Sequence, residues 1–147
     1  MEISIVPMSK ILIDSIASVE QQCFSTPWSK RSLEEELSNP NALFFAAVSG
    51  ETVLGYIGCI IVCKECSITN IAVLPSSRRQ GVASLLLNTL ITAAKDRSAD
   101  LIFLEVRTSN SAAQSLYQKF GFCVCGERKA FYRNPTEDAL IMNLSLN

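Results

Sequence analysis

The residues whose types and spacing most directly suggest chemistry form a basic, glycine-containing stretch from Arg78 to Ala83. It follows a β-rich run, residues 68–74, and precedes a strongly periodic helical pattern. The first amides of a helix have no intrahelical partner, and the helix dipole adds partial positive charge there. Gly81 lets the backbone approach a ligand closely. This arrangement favours a site where backbone amides bind a pyrophosphate.

The class of phosphate ligand is narrowed by what this turn lacks. A Walker loop requires two glycines five positions apart followed by Lys and Ser or Thr, and a dinucleotide-binding turn requires Gly-x-Gly-x-x-Gly. The chain contains neither pattern. Six residues of this kind also occur in a solvated connection between a strand and a helix, and that alternative stays open.

Glu105 is a second candidate, as a general base. It lies near the end of an apolar, β-rich run, residues 101–106, and alternation puts it on one face with Leu101 and Phe103. We therefore expect it to leave the sheet on the side of core residues, in partly desolvated surroundings that suit a base. The alternatives are a carboxylate that faces solvent or one that pairs with Arg107.

The chain contains no histidine, which removes the usual general base and the Ser-His and Cys-His nucleophile systems. Proton transfer must then use carboxylate, tyrosine or water. Six cysteines show no recurring Cys-x-x-Cys spacing, so we expect no metal site. Cys59 and Cys63 share strand parity, as do Cys123 and Cys125, which is typical of small apolar core residues.

Composition limits the class of protein. A chain of 147 residues with 48% hydrophobic and 18% charged residues suits one globular domain, residues 1–147. A net charge of -1 and a pI of about 5.5 disfavour nucleic-acid binding. The longest nearly apolar run, residues 54–63, is too short to span a bilayer, and Glu2 stands where a signal peptide is basic. We expect a cytoplasmic protein without a membrane partner.

Periodicity predicts the elements that must position the candidate residues. Their order is β, α, α, β, β, β, α, β, α, β, β, which indicates an α/β fold with a central mixed sheet flanked by helices. The expected strands are residues 2–6, 43–48, 53–62, 67–74, 101–106, 122–126 and 139–146, and the expected helices are residues 11–24, 30–37, 81–97 and 113–120. Ser29 caps the second helix and Gly121 ends the fourth.

The motifs on these elements resemble those of the GCN5-related N-acetyltransferase (GNAT) family. Arg78-x-x-Gly81-x-Ala83 matches the family's acetyl-CoA signature. More specific are residues 104–113 leading into residues 116–122, and residues 131–142 near the end of the chain. Together they resemble the bacterial members that acetylate the N-terminal alanine of a small-subunit ribosomal protein, and the resemblance runs almost end to end.

The resemblance implies acetyl-CoA as co-substrate, without a metal. It implies that Glu105 accepts a proton from the amine and that Tyr117 donates one to the leaving thiolate. From spacing alone, Tyr117 on an apolar helical stripe is better explained as a core residue. The positions implied to contact the cofactor are Ile71, Ala72, Val73, Arg79, Gln80, Gly81, Val82, Ala83, Ser84 and Asn110.

The implied partner is the N-terminal segment of a protein substrate, and a ribosomal protein is the expected one. Residues 27–29 and 128–135 are expected to flank its groove. For Trp28, a half-buried anchor between the first two helices is an equal alternative. The chain has Phe131 before Tyr132 where the family usually has two tyrosines, so its peptide preference can differ.

The expected mechanism is direct attack of a neutral amine on the thioester, since no histidine is present to activate a cysteine. An α-amine with a pKa near 8 costs about 1.4 kcal/mol to deprotonate at pH 7, whereas lysine costs about 4.6 kcal/mol. This difference favours a protein α-amine. The alternatives are another amine, such as lysine, a polyamine or an antibiotic, and a non-catalytic acyl-CoA-binding scaffold.

Overall fold

Seven β-strands and four α-helices form along residues 2–147, the part of the chain that the computed structural model describes. The strands are β1 (Ser4–Pro7), β2 (Ala42–Ser49), β3 (Thr52–Val62), β4 (Glu65–Val73), β5 (Leu101–Arg107), β6 (Cys123–Tyr132) and β7 (Glu137–Ser145). The helices are α1 (Ile13–Cys23), α2 (Lys30–Leu37), α3 (Val82–Asp96) and α4 (Ser111–Lys119). Their order confirms the expected α/β fold.

Local signals in the sequence set several boundaries. The Ser29 hydroxyl accepts a hydrogen bond from the Ser32 amide and caps α2, which ends before Pro40. Gly50, with φ of +61°, forms the turn of the β2–β3 hairpin, and Gly121, with φ of +98°, follows the end of α4. These elements therefore begin and end close to where the residue types predict.

One mixed sheet carries all seven strands in the order β1-β2-β3-β4-β5-β7-β6. The parallel pair, β4 with β5, is bonded only over residues 65–67 and 101–103. Thr69 forms a bulge in β4, because Gly58 of β3 pairs with Asn70 whereas Cys59 pairs with Ile68. Beyond the bulge the two strands diverge, and the sheet is split in its middle.

Helices cover the two faces of the sheet unevenly. On one face, α3 and α4 pack against strand residues that include Ile102, Leu104 and Met142. On the other, α1 and α2 pack on residues of β1, β2, β3 and β4, among them Phe44 and Tyr56. That second face of β5, β7 and β6 therefore stays more open. None of the helices within residues 2–147 is both long and apolar enough to cross a membrane.

The face assigned to Glu105 is corrected by this layering. Ile102, Leu104 and Val106 are the buried residues of β5 and face α3 and α4. Leu101, Phe103 and Glu105 are half-buried on the opposite face, where α1 and α2 do not reach. The expectation that Glu105 leaves the sheet beside core residues is wrong. Because the residues that precede Glu105 are apolar on both faces of β5, the alternation of side chains did not reveal which face belongs to the core.

The last hairpin differs from the expectation as well. β6 continues to Tyr132, past the expected end at Gly126, and is an exposed edge strand over most of its length. Cys123 and Cys125 are consequently exposed, and Cys63 lies exposed after the end of β3. The interpretation of these three cysteines as core residues is wrong, whereas Cys59 is buried as expected.

An aromatic ring occupies the space beside Gly58. A Cβ atom there would overlap the ring of Phe44 on the neighbouring strand. That ring lies between Trp28 and Tyr56, with ring centroids 6.2 and 6.3 Å away. Phe44 therefore fills the space that a side chain at position 58 would need.

Candidate active site

A cleft of about 730 Å³ lies where β4 and β5 diverge. Its walls come from β4, β5, the connection between α1 and α2, and the connection between β6 and β7. The last two meet where the Ser25 hydroxyl donates a hydrogen bond of 2.7 Å to the carbonyl of Asn134. The cleft brings together four residues that the sequence singled out: Ile71, Glu105, Asn110 and Tyr117. Trp28 and residues 131–135, expected at the acceptor groove, also line it.

The backbone of β4 presents to the split groups that do not pair with β3. The Leu74 amide donates to the Leu54 carbonyl, so this pair is a hydrogen-bonded one in the ladder with β3. Pairs alternate in an antiparallel ladder, so Ala72 also faces β3, whereas Ile71 and Val73 face away from it. Since β5 has diverged at this level, the backbone groups of Ile71 and Val73 point into the split. Of the three expected contact residues, Ala72 has its amide turned the other way.

The loop before α3 has the geometry of an anion site. Arg79 and Gly81 both have positive φ, +65° and +80°. Leu85 is the first residue of α3 whose amide reaches a carbonyl, that of Gly81, so the amides of residues 82–84 are free of intrahelical bonds. A Cβ atom at Gly81 would meet nothing within 4 Å, so the space above this turn is open. These features suit a pyrophosphate bound by residues 79–84.

Arg78 does not point toward this open space. Its Nε donates to the Val73 carbonyl at 3.1 Å, and the Cys23 thiol donates to the same oxygen at 3.3 Å. Burial raises the pKa of the Cys23 thiol, which the neighbouring Arg78 opposes. Arg78 thus ties the loop to the end of β4.

The carboxylate of Glu105 lies at the cleft beside Arg128 of β6. Glu105 Oε2 is 3.5 Å from Arg128 Nε, and the Glu105 side chain is 18% exposed. Sequence reasoning named Arg107 as its alternative partner, but the Arg107 guanidinium lies 3.1 Å from Glu137 instead. The long β6 strand, which was not expected, is what brings Arg128 to this position.

Arg107 and Glu137 hold the β6–β7 connection in place. The guanidinium donates to the carbonyls of Arg133 and Pro135, both at 3.0 Å. Glu137 Oε2 accepts a hydrogen bond of 2.6 Å from the Ser109 amide. Hydrogen bonds from Ser109, supported by Arg107, lower the pKa of Glu137 to about 2. One wall of the cleft is thereby anchored to the end of β5.

Two phenols occupy the same part of the cleft. Tyr117 on α4 is 4% exposed and packs against Phe122, with ring centroids 5.8 Å apart. Burial raises the pKa of Tyr117. Burial likewise raises the pKa of Tyr132 to about 12, and the Arg107 guanidinium stacks 4.5 Å from its ring centre. Both side chains remain protonated at neutral pH and can donate hydrogen bonds.

The two remaining expectations concern Asn110 and Trp28. Asn110 caps α4, because its Oδ1 accepts a hydrogen bond of 3.2 Å from the Ala113 amide. Trp28 packs against Phe44 in the core beneath α1 and α2, and it also lines the cleft. The packing confirms Trp28 as a core anchor, and its contact with the acceptor peptide stays a prediction.

Two polar side chains that sequence reasoning missed as site residues, Glu20 and Asn70, line the cleft, and a third, Tyr56, lies buried beside them. Glu20 is 1% exposed; its carboxylate accepts hydrogen bonds of 2.7 Å from both the Tyr56 hydroxyl and the Trp28 amide. Burial and the charge of Glu20 raise the pKa of Tyr56, whereas a hydrogen bond with Asn70 acts in the opposite direction. Position 20 follows Ile16 by four residues on the apolar face of α1, and this spacing was the available signal.

Comparison with known proteins identifies relatives over most of the chain. The model of the acetyltransferase (GNAT) family matches residues 13–122. A Bacillus subtilis (strain 168) protein, provisionally named a ribosomal protein bS18-alanine N-acetyltransferase, is 39% identical over 136 residues, covering 92% of this chain and 90% of that protein. The crystal structure of the Escherichia coli ribosomal-protein-S18-alanine N-acetyltransferase superposes with a TM-score of 0.91 at 29% identity, covering 99% of this chain and 95% of that one. A chain of the NatC complex bound to Gag peptide and CoA gives a TM-score of 0.89 at 25% identity over the full length of both.

Proposed function

Since the chain belongs to the acetyltransferase (GNAT) family, we propose that it transfers the acetyl group of acetyl-CoA to the N-terminal α-amine of a protein. We further propose that the acceptor is the N-terminal alanine of ribosomal protein bS18, the substrate in the names of its relatives. The observation that carries this proposal is the split between β4 and β5, where a carboxylate and a phenol line one cleft.

Acetyl-CoA supplies an acetyl group activated as a thioester. The free amides of residues 82–84 and the open turn at Gly81 fit its pyrophosphate. The outward-facing backbone of Ile71 and the Val73 amide fit amide and carbonyl groups, and an amide there can stabilise negative charge on the thioester oxygen. Asn110 lines the same cleft and contributes a side-chain amide.

Glu105 and Tyr117 take the roles of proton acceptor and proton donor. As the amine bonds to the acetyl carbon, Glu105 receives the proton that leaves the nitrogen. As the carbon–sulfur bond breaks, the Tyr117 hydroxyl donates to the departing thiolate. Because burial raises the pKa of Tyr117, its hydroxyl is protonated at neutral pH and can donate a hydrogen bond to the sulfur as negative charge develops there. The Arg128 side chain beside Glu105 is 53% exposed, so it can leave when the amine arrives.

The walls of the cleft suit the end of a polypeptide. They contain aromatic side chains at Phe24, Trp28 and Phe131, and an anchored loop, residues 133–135. Aromatic surface can contact a peptide without demanding a charged side chain. An α-amine also costs less than a lysine side chain to deprotonate at neutral pH.

Labelled acetyl-CoA tests this proposal. The acceptor is an alanine-initiated peptide that carries one internal lysine, and the control is the same peptide with a blocked N-terminus. We expect label in the free peptide alone. Equal labelling of both peptides would show that lysine is the acceptor, and labelling of neither would refute the proposed function.

A further inference from the structure

Asn70 is a buried polar side chain at the cleft with an unused acceptor. It is 7% exposed, and none of the residues from 2 to 147 donates a hydrogen bond to its Oδ1 atom. Buried amide oxygens are nearly always paired, so an exception in the wall of a cleft calls for an explanation. Asn70 also lines the cleft.

The orientation of the Asn70 amide is fixed by its neighbours. The Tyr56 hydroxyl gives its single proton to Glu20, at 2.7 Å, so toward the neighbouring Asn70 its oxygen can act only as an acceptor. The NH2 group of Asn70 therefore faces Tyr56. The carbonyl oxygen is the part that remains without a partner, and rotating the amide would place two acceptors against each other.

Asn70 and Glu105 lie at the same level on opposite sides of the split. Ser67 of β4 pairs with Phe103 of β5. Because Thr69 is the bulge residue, Asn70 is two ladder steps past Ser67, as Glu105 is two steps past Phe103. Asn70 shares its parity on β4 with Ala72, which packs in the cluster under α1, and Glu105 has the opposite parity to Leu104, which faces α3. Both side chains thus leave the same face of the sheet.

We propose that Asn70 binds the acceptor amine through Oδ1 and makes the site specific for primary amines. This inference rests on the proposed function. A neutral primary amine has two N–H groups and one lone pair. When Glu105 accepts one N–H and Asn70 the other, the lone pair is directed into the split, where the acetyl carbon must lie. Glu20 and Tyr56 hold Asn70 in the orientation that this requires.

The first experiment measures kinetics of Asn70→Leu with a free alanine-initiated peptide. Leucine has a similar size but no acceptor, and Asn88→Leu, the same change at an exposed site on α3, is the matched control. We expect kcat/KM for the peptide to fall about tenfold or more, as for loss of a hydrogen bond to a reacting group. The KM for acetyl-CoA should stay within about twofold of the original value. Asn70→Ala serves as the second variant if leucine prevents folding.

The second experiment replaces the acceptor by a peptide whose N-terminal alanine is N-methylated. The neutral methylated amine has one N–H, so it cannot bind Glu105 and Asn70 together. The original protein should prefer the unmethylated peptide, and in Asn70→Leu this preference should shrink about tenfold, since the second hydrogen bond is already lost. A purely structural role for Asn70 would leave the preference unchanged.

Three outcomes overturn the inference. They are an unchanged peptide kcat/KM in Asn70→Leu, an equal rise in the KM values of peptide and acetyl-CoA, and an undiminished preference for the unmethylated peptide. If the original protein acetylates the free peptide while any of these holds, only the role of Asn70 fails. If the original protein does not acetylate the free peptide, the proposed function fails with it.

Discussion

The proposed proton transfers depend on single side chains, and the role of Tyr117 as proton donor can be tested most directly. The change Tyr117→Phe removes one oxygen from a buried position whose ring packs on Phe122. We expect kcat to fall about 100-fold or more because the thiolate loses its proton donor. The dissociation constant for acetyl-CoA, measured by calorimetry, should change less than about twofold. Full turnover in this variant would assign the proton donor to water.

Glu137 predicts how stability depends on pH. Its pKa is about 2 in the folded chain and about 4.3 when unfolded. The charged form therefore stabilises the fold above pH 4.3, and this contribution is lost as pH falls from about 5 to 2. We expect Glu137→Gln to have a lower melting temperature at pH 7 and a shallower decline in acid.

The matched control is Glu34→Gln, which removes a carboxylate from an exposed position on α2. Calorimetric melting between pH 2 and 7 measures all three proteins. An acid decline of Glu137→Gln as steep as that of the original chain would contradict the role given to the Ser109 and Arg107 hydrogen bonds.

For single residues, the sequence predicted the candidate site residues better than it predicted the contacts that those residues make. Glu105 and Tyr117 carry recognisable motifs, and the structure places both at one cleft; their roles stay a prediction. Glu20 escaped notice because Glu-Gln-Gln suggests a solvent-facing turn of helix. Its partner Tyr56 lies 36 positions away, and no local pattern reports a contact of that separation.

Among the elements, strand pairing creates constraints that a residue pattern alone does not show. Gly58→Ala should lower the melting temperature by roughly 4–10 °C, because its methyl group collides with Phe44 and a packed ring cannot move freely. Gly50→Ala is the control, since its Cβ meets nothing and only its positive φ is unfavourable. In a Phe44→Leu background, Gly58→Ala should cost less. Equal losses in both backgrounds would exclude the ring as the cause.

The order of the helices and strands could be predicted from the sequence, but which helices pack over which strands could not. Helix caps and apolar periodicity are local properties, so α2 was expected at the bounds it has, Lys30–Leu37. β6 was cut short because residues 127–129 are charged, which an edge strand tolerates. The buried face of β5 depends on which helices pack above it, and that is a property of the assembled sheet.

For the whole molecule, the split sheet implies that ligand binding and stability are coupled. Acetyl-CoA at about 100 times its dissociation constant should stabilise the fold by about 2.7 kcal/mol. For a chain of 147 residues this corresponds to a rise in melting temperature of roughly 5–10 °C. Differential scanning calorimetry measures it, with a truncated acetyl thioester that lacks the nucleotide as control.

The truncated thioester should give a much smaller shift, because it cannot reach residues 79–84. Hydrogen exchange should slow most at the end of β4 and the first turn of α3, where free amides acquire partners. A shift of equal size with the truncated compound would show that the loop before α3 contributes nothing to binding.

The hydrogen bond between Ser25 and Asn134 joins two walls of the cleft. One exposed hydrogen bond contributes only about 0.5–1.5 kcal/mol, so at equilibrium this bond is broken in roughly one molecule in ten. A long polypeptide can thus enter sideways as well as tip first. We therefore expect this hydrogen bond to affect how long a bound polypeptide stays rather than which polypeptides can bind. Its loss should speed departure of the acetylated product.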